Sequence, residues 1–257
     1  MLHERRSKIV NMISADRMVK VSELTKLFNV SIETIRRDLE YLEEKGYLTR
    51  VYGGAVANSM FNLEPEYATR EVKNLIEKSA IGQAAAALIN DGDTVYVDVG
   101  TTTLEFAKAL KGTKNVTIIT NAMKIAMTLA DDSNIHVILL GGDTRSGEFS
   151  TSGFLAESNI RNFNFNVAVI GIGGITLDNG ISDYHINEAN LRRHIIERAQ
   201  KVIGLSDYSK IGITTMNRIC SVEAMTTLVT DDKVPGKFIS DLKARGVEVI
   251  VAQTKPE

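Results

Sequence analysis

Tryptophan is absent from this 257-residue chain, and there are only three prolines and one cysteine, Cys220. A lone thiol excludes an internal disulfide framework and fits a reducing compartment. Scarce proline with 44% hydrophobic content argues against a disordered or proline-rich chain, and allows one large core with a small one beside it. Long apolar runs are missing too. The longest, around Val167 to Leu177, falls well short of the roughly 18 residues that a membrane span needs. The opening MLHERRSKIV carries no apolar export segment, so a cytoplasmic protein with no membrane partner is expected. Net charge is only −2, although residues 1–56 hold ten Lys or Arg against eight Asp or Glu. That excess permits nucleic-acid binding without demanding it, because the acidic EYLEE run offsets the arginines.

What is present begins with VSELTKLFNVSIETIRRDLEYLEEKGYLTRVYGGA, residues 21–55. Two short helices joined by a tight turn, then a β-hairpin, account for its pattern. In the second helix Ile32, Ile35, Leu39 and Leu42 recur on one stripe, with Glu33, Thr34, Arg37 and Tyr41 facing away. Ser31 is a suitable N-cap, and Lys45-Gly46 a stop signal. A helix held by its apolar side, offering short polar and Arg side chains near its start, suits a DNA major groove. Residues 4–14 add a helix with Ile9, Met12 and Ile13 inward and Arg5, Arg6 and Lys8 more exposed, while LTRV-YGG-AV alternates as a two-stranded wing. Residues 1–56 are therefore expected to form a winged helix-turn-helix and 57–70 a polar linker.

Residues 71–257 change character. A strong helix over EVKNLIEKSAIGQAAAALI precedes alternating Val/Ile-rich strands and amphipathic helices, the pattern of a buried, mostly parallel sheet with helices on both faces. Polar or Gly-rich residues collect where the strands end: Asp98 with Gly100, Thr101, Thr102 and Thr103; Thr120-Asn121; Gly141-Gly142; Gly171 to Gly174; and Asp207 to Lys210. Open α/β sheets bind ligands outside those ends, and the free N–H groups of a helix start attract anions. A phosphate or carboxylate would suit Gly100–Thr103, although the threonines serve equally as caps. Lys210 suits a phosphate as a point charge, and is as readily a solvated surface lysine. Glu188 could accept bonds from sugar hydroxyls or stabilise the start of its own helix.

Several chemistries are excluded. GDTRSGE carries Glu148 where a P-loop needs Lys, GIGG leads into a turn rather than a helix, and no G-x-S-x-G elbow occurs. His3, His136, His185 and His194 are scattered, and with one Cys no metal-ligand spacing exists; neither metal nor cofactor is expected.

Taken together these segments closely resemble the DeoR/GlpR family of bacterial transcriptional regulators: the I-R-R-D-L core with its terminal G-G-A, Glu77-Lys78, D-x-G-T-T at 98–102, T-N at 120–121, G-G at 141–142, E-A at 188–189, D-x-S-K at 207–210 and V-T-D at 229–231. The resemblance spans essentially the whole chain in order. It implies an α/β sensor domain resembling ribose-5-phosphate isomerase. There Gly100 to Thr103 and Lys210 would hold a phosphate, with Asp98, Asn121 and Glu188 near sugar hydroxyls, and Gly142 and Gly173 beside them. Two departures stand out. Position 173 is Gly where many members carry Asp, so this loop offers no carboxylate for isomerase chemistry. Tyr52 stands at the wing tip where relatives often carry His.

The expected function is a repressor of a carbohydrate-metabolism operon, released from operator DNA by a sugar phosphate. A co-repressor is the alternative sign, and an isomerase with an accessory head or a head used only for protein contacts are the rival classes. Ser31, Thr34, Arg36 and Arg37 would sit at the groove, Arg37 at a base edge, with Arg50 and Tyr52 on the wing and Arg50 at a phosphate. Arg36 could instead pair with Asp38 or Glu40. One small head reads a short half-site, so a homodimer or homotetramer is expected.

Overall fold

The computed structural model describes residues 5–6, 8–10, 12–13, 18–44, 48–57 and 64–254. Its chain falls into two units, Met1–Glu64 and Pro65–Glu257.

In the first unit, the helical residues 5–6, 8–10 and 12–13 (α1) turn Ile9 and Ile13 into a core. Helix α2 (Val21–Phe28) ends at Asn29, whose left-handed backbone Asn tolerates better than most residues and whose N–H returns to the Thr25 carbonyl. Helix α3 (Ile32–Glu44) buries Ile35, Asp38, Leu39 and Leu42. Ile32, expected on that stripe, is 52% exposed. At about 100° per residue the buried arc centres roughly 70° away from Ile32, displaced towards Asp38. Ile35, Leu39 and Leu42 alone already centre about 50° from Ile32, and Asp38 extends the arc further, its two oxygens accepting from Arg5 Nε and Arg6 Nε at 2.6 and 2.7 Å. Arg5 and Arg6 are thus half-buried partners of α3 rather than exposed residues, and Arg6 lies 3.8 Å over the Tyr41 ring. The Lys45-Gly46 stop signal lies outside the described residues.

The wing strands β2 (Leu48–Val51) and β3 (Gly54–Ala57) form the expected hairpin around Tyr52-Gly53. A third strand, β1 (Met18–Lys20), was not expected and pairs with β3. Gly54 makes that pairing possible, since a Cβ there would come within 2.1 Å of the Val19 carbonyl oxygen.

The second unit opens with α4 (Tyr67–Val72) and α5 (Leu75–Ala86). One continuous helix was expected from Glu71 to Ile89 after a linker over 57–70, but α4 already takes up the last four linker residues. The chain instead breaks at Asn74, again left-handed, and Lys78 Nζ donates to the Arg70 and Lys73 carbonyls that the break leaves without helical partners. Strands β4 (Thr94–Val97), β5 (Val116–Thr120), β6 (Ile135–Leu139), β9 (Phe165–Gly171), β12 (Ala199–Leu205), β14 (Thr227–Asp231) and β15 (Glu248–Ala252) form one sheet. Every pairing in it is parallel, in the order β15-β14-β12-β9-β4-β5-β6. The intervening helices are α6 (Thr101–Leu110), α7 (Met123–Leu129), α8 (Phe154–Ile160), α9 (Ile186–Ile196) and α10 (Gly236–Ala244).

Strand alternation divides the apolar residues between two layers. Val95, Val97, Val167 and Val169 join Ile81, Phe106 and Leu110 on one face. Tyr96, Ala168 and Ile170 join Phe165, Ile195 and Leu242 on the other. This is the parallel α/β body expected from the Val/Ile-rich runs. Three smaller pieces were not anticipated: helix α8, the antiparallel hairpin β7 (Asp143–Arg145)–β8 (Ser150–Ser152), and the sheet β10 (Gly174–Thr176)–β11 (Gly180–Asp183)–β13 (Asn217–Cys220).

Candidate functional site

The sheet order reverses at β4 and β9. From β4 the chain fills one side through β5 and β6, then crosses to β9 and the other. A crevice outside the carboxyl ends of such a pair is where open α/β sheets take ligands. Asp98 follows β4 there, and its Oδ2 accepts from the Gly171 N–H at the end of β9, at 3.1 Å.

Around Asp98 the fold assembles a buried set of charges. Arg192 Nε donates to Asp98 Oδ2 at 2.5 Å, and Arg192 Nη1 lies 2.6 Å from Asp183 Oδ2, out of hydrogen-bond alignment. Glu188 Oε2 is 3.9 Å from Arg192 and accepts from Arg145 at 3.2 Å, while Glu188 Oε1 accepts from Ser150 at 2.7 Å. Asn121 joins through Tyr96, whose hydroxyl donates to Asn121 Oδ1 at 2.8 Å; the Asn121 amide then donates to the Thr151 carbonyl at 3.1 Å. Asp98, Asp183, Glu188 and Arg192 are all buried. Burial raises the Asp98 pKa to about 6 against the opposing pull of Arg192, with Glu188 and Asp183 adding to the rise. Burial works against the Arg192 charge as well, but Asp183, Asp98 and Glu188 more than offset it and hold its pKa well above the ordinary arginine value. Asp98 Oδ1 is buried with no hydrogen-bond partner among the described residues. A buried acceptor of that kind calls for a donor, and a ligand hydroxyl is one.

Of the expected effector residues, the structure joins Asp98, Asn121 and Glu188 through this network. Thr101 and Thr103 are buried at the start of α6 just past Asp98, and Thr103 Oγ1 donates to the Gly100 carbonyl at 3.0 Å, so a back-bond within the first turn accounts for that hydroxyl. Thr102 is half-buried. Gly142 abuts the hairpin: a Cβ would meet the Ser152 carbonyl oxygen at 2.5 Å. Gly173 lies against β11, where a Cβ would stand 3.0 Å from Asp183 Oδ2. The loop itself lacks a carboxylate, as expected, but β11 brings Asp183 to it. Lys210 is half-buried at the end of the short 3-10 helix Tyr208–Lys210 and close to Lys78. Burial lowers the Lys78 pKa to about 8, Asp207 opposing and Lys210 reinforcing the shift.

Sequence reasoning missed Arg192, Asp183, Arg145 and Ser150. Arg192 had a signal, since it stands on the apolar stripe of α9 between Ala189 and Ile195 and four residues past Glu188. Asp183 had none, because only the fold of β11 brings it to Gly173.

In the first unit, Ser31 caps α3, accepting from the Thr34 N–H at 3.2 Å and sharing a 2.9 Å hydroxyl contact with Thr34. Arg36 lies 3.9 Å from Glu33 rather than beside Asp38 or Glu40, because Asp38 is occupied by Arg5 and Arg6. Arg37 is exposed and has no side-chain partner among the described residues. Arg50 Nε donates to Glu43 at 2.6 Å, with Glu40 at 3.6 Å, and Tyr52 is fully exposed at the wing tip. Among the described residues no group of His, Cys, Asp and Glu suits a metal ion, and no helix is long and apolar enough to cross a membrane.

A helix-turn-helix head whose third helix keeps one polar face exposed, joined in one chain to a parallel α/β unit with a buried charged network at its switch point, is the build of a two-part DNA-binding regulator. Residues 5–61 match the DeoR-like helix-turn-helix domain, and residues 73–232 the DeoR C terminal sensor domain. The chain belongs to the DeoR family of DNA-binding transcriptional regulators, which are not enzymes. It is 33% identical over 250 residues to the HTH-type transcriptional regulator GolR of Listeria innocua, covering 97% of this chain and 98% of that protein. It is 32% identical over 251 residues to the HTH-type transcriptional repressor GlcR of Bacillus subtilis, covering 97% and 96%. The putative aga operon transcriptional repressor of Escherichia coli O157:H7 is 32% identical over 250 residues, covering 96% and 93%. Among solved structures, ribose 5-phosphate isomerase A of Methanocaldococcus jannaschii is similar over 52% of this chain and 53% of its own, at 16% identity and a TM-score of 0.39.

Proposed function

We propose that this regulator represses a carbohydrate-metabolism operon and is released from its operator by a phosphorylated sugar bound at the switch-point crevice. The observation that carries the effector reading is the unpaired, buried Asp98 Oδ1 within the Asp98–Arg192–Glu188 network. Acceptors fixed by a buried guanidinium suit the hydroxyls of a polyol, and the start of α6 with Lys210 suits its phosphate. Names among the relatives, such as the putative aga operon repressor, agree with a repressor. Asp183 beside Gly173 means that a count of carboxylates does not separate sensor from isomerase; family membership does.

At the DNA, Arg37 reads a base edge from the exposed face of α3, with Ser31, Thr34 and Arg36 along the groove. Arg50 exchanges Glu43 and Glu40 for a phosphate, and Tyr52 extends the wing. A homodimer or homotetramer presents paired heads to an inverted repeat.

The test is thermal unfolding of the full chain against sugar phosphates and their unphosphorylated parents, since a ligand of the folded state alone raises the melting temperature. A rise with one ester, absent with its parent and lost in Asp98→Asn and in Lys210→Ala, is expected. No rise with any ester would overturn the sugar-phosphate reading. Selection from random duplexes should enrich an inverted repeat with the wild type and none with Arg37→Ala.

A further inference from the structure

Both oxygens of Glu188 are engaged by the same small element. Arg145 at the end of β7 and Ser150 at the start of β8 hold them at 3.2 and 2.7 Å. The residues between those two strands turn to a different partner. Glu148 accepts from Arg70, and the Phe149 ring meets the Tyr67 ring edge-on with centroids 5.9 Å apart. Lys124 closes the cluster, its ammonium 4.1 Å from the Tyr67 centroid, 4.8 Å from that of Phe149, and 3.0 Å from Glu71. Tyr67, Arg70 and Glu71 all belong to α4, the first element of the second unit, which follows directly on the chain leading from the DNA-binding head.

The hairpin is also strained. Phe149 has φ +56°, in the left-handed region that a bulky side chain seldom adopts, while its carbonyl accepts from the Met123 N–H at 2.8 Å. Such a conformation persists only while its surroundings enforce it, and the hairpin that carries it is held from two sides, at Arg145 and Ser150 by Glu188 and at Glu148 and Phe149 by α4.

We propose that the β7–β8 hairpin is the coupling element of the sensor, with Arg145, Ser150 and Glu148 as positioning residues. A hydroxylated ligand that takes Glu188 displaces Arg145 and Ser150, frees Phe149 from its left-handed backbone, and loosens the contacts of Arg70 and Tyr67 that hold α4. The inference rests on the crevice being the effector site. It adds the route out of that site: a discrete element in contact with both ends, whose equilibrium each end biases. Coupling of this kind is reciprocal, so a change at α4 must be felt at Glu188.

Amide hydrogen exchange on the full chain tests this without any ligand. The double variant Arg145→Met/Ser150→Ala removes both hairpin bonds to Glu188. Exchange in residues 67–72 should then speed up about tenfold, the equivalent of one charge-assisted bond, while β4 and β9 stay unchanged. Glu148→Gln, made on the α4 side, should in turn speed exchange in residues 150–152. Acceleration confined to the hairpin in the first variant, or to α4 in the second, overturns the coupling. If the double variant does not fold, Arg145→Met alone is read in the same way. Coupling without a thermal shift from any sugar ester would retain the relay and reject the sugar-phosphate reading; a shift without coupling would do the reverse.

Discussion

Replacing Arg192 with methionine keeps an unbranched stem in the crevice and deletes the guanidinium that holds Asp98, Asp183 and Glu188. All three carboxylates are buried, and Arg192 stands 2.5, 2.6 and 3.9 Å from them. Removing one partner of a buried ion pair costs about 3–5 kcal/mol, because the remaining charge is left uncompensated. Protonation of a carboxyl sets the lower part of that range as the expectation, and it also gives the effect a pH signature. Folding already raises the Asp98 pKa from 3.8 to about 6. The folded state therefore takes up the proton first, and this group's contribution to stability falls by about 3 kcal/mol as pH rises through that interval. Without Arg192 the Asp98 pKa rises further and the window extends upward, so the variant loses more at pH 7.5 than at pH 5.5. Urea unfolding of the full chain by far-UV circular dichroism at the two pH values measures this. For a unit of this size the loss at pH 7.5 corresponds to a melting temperature lower by about 6–12 °C. A loss under about 1 kcal/mol at pH 7.5, or one equal at both pH values, would refute the electrostatic account of the crevice.

Ser31→Ala should remove the side-chain cap from α3 at a cost of about 1 kcal/mol, read as roughly fivefold faster amide exchange across that helix; unchanged exchange would mean the cap contributes nothing. Gly173→Asp should place a second carboxylate against Asp183 and destabilise the second unit by about 1–3 kcal/mol, more at pH 7.5 than at pH 5.5. Equal stability in the same urea titrations would show that β11 yields at that point.

The amino-acid sequence by itself determined the strands of the parallel sheet, most of the helices and their layering. A period near 3.6 in Ile35, Leu39 and Leu42 makes α3 and selects its buried side, Ser31 starts it, and Val/Ile-rich runs such as VTIIT and FNVAVIG can only be strands covered on both faces. Those signals are local, carried by neighbours a few residues apart, so they survive in a linear string. The strand ends are legible for the same reason, and with them Asp98 and Asn121, as is Glu188 at the start of its helix. Tertiary structure alone decided the rest. Asp38 is a buried anchor because Arg5 and Arg6, more than thirty residues away, neutralise it. Asp183 meets Gly173, Arg192 meets Asp98 across 94 residues, and the β7–β8 hairpin reaches both Glu188 and α4. Charged side chains of this kind carry no periodicity that marks their partners. Each looks like solvated surface until burial removes the water and leaves a counter-charge from a distant strand as the remaining means of satisfying it.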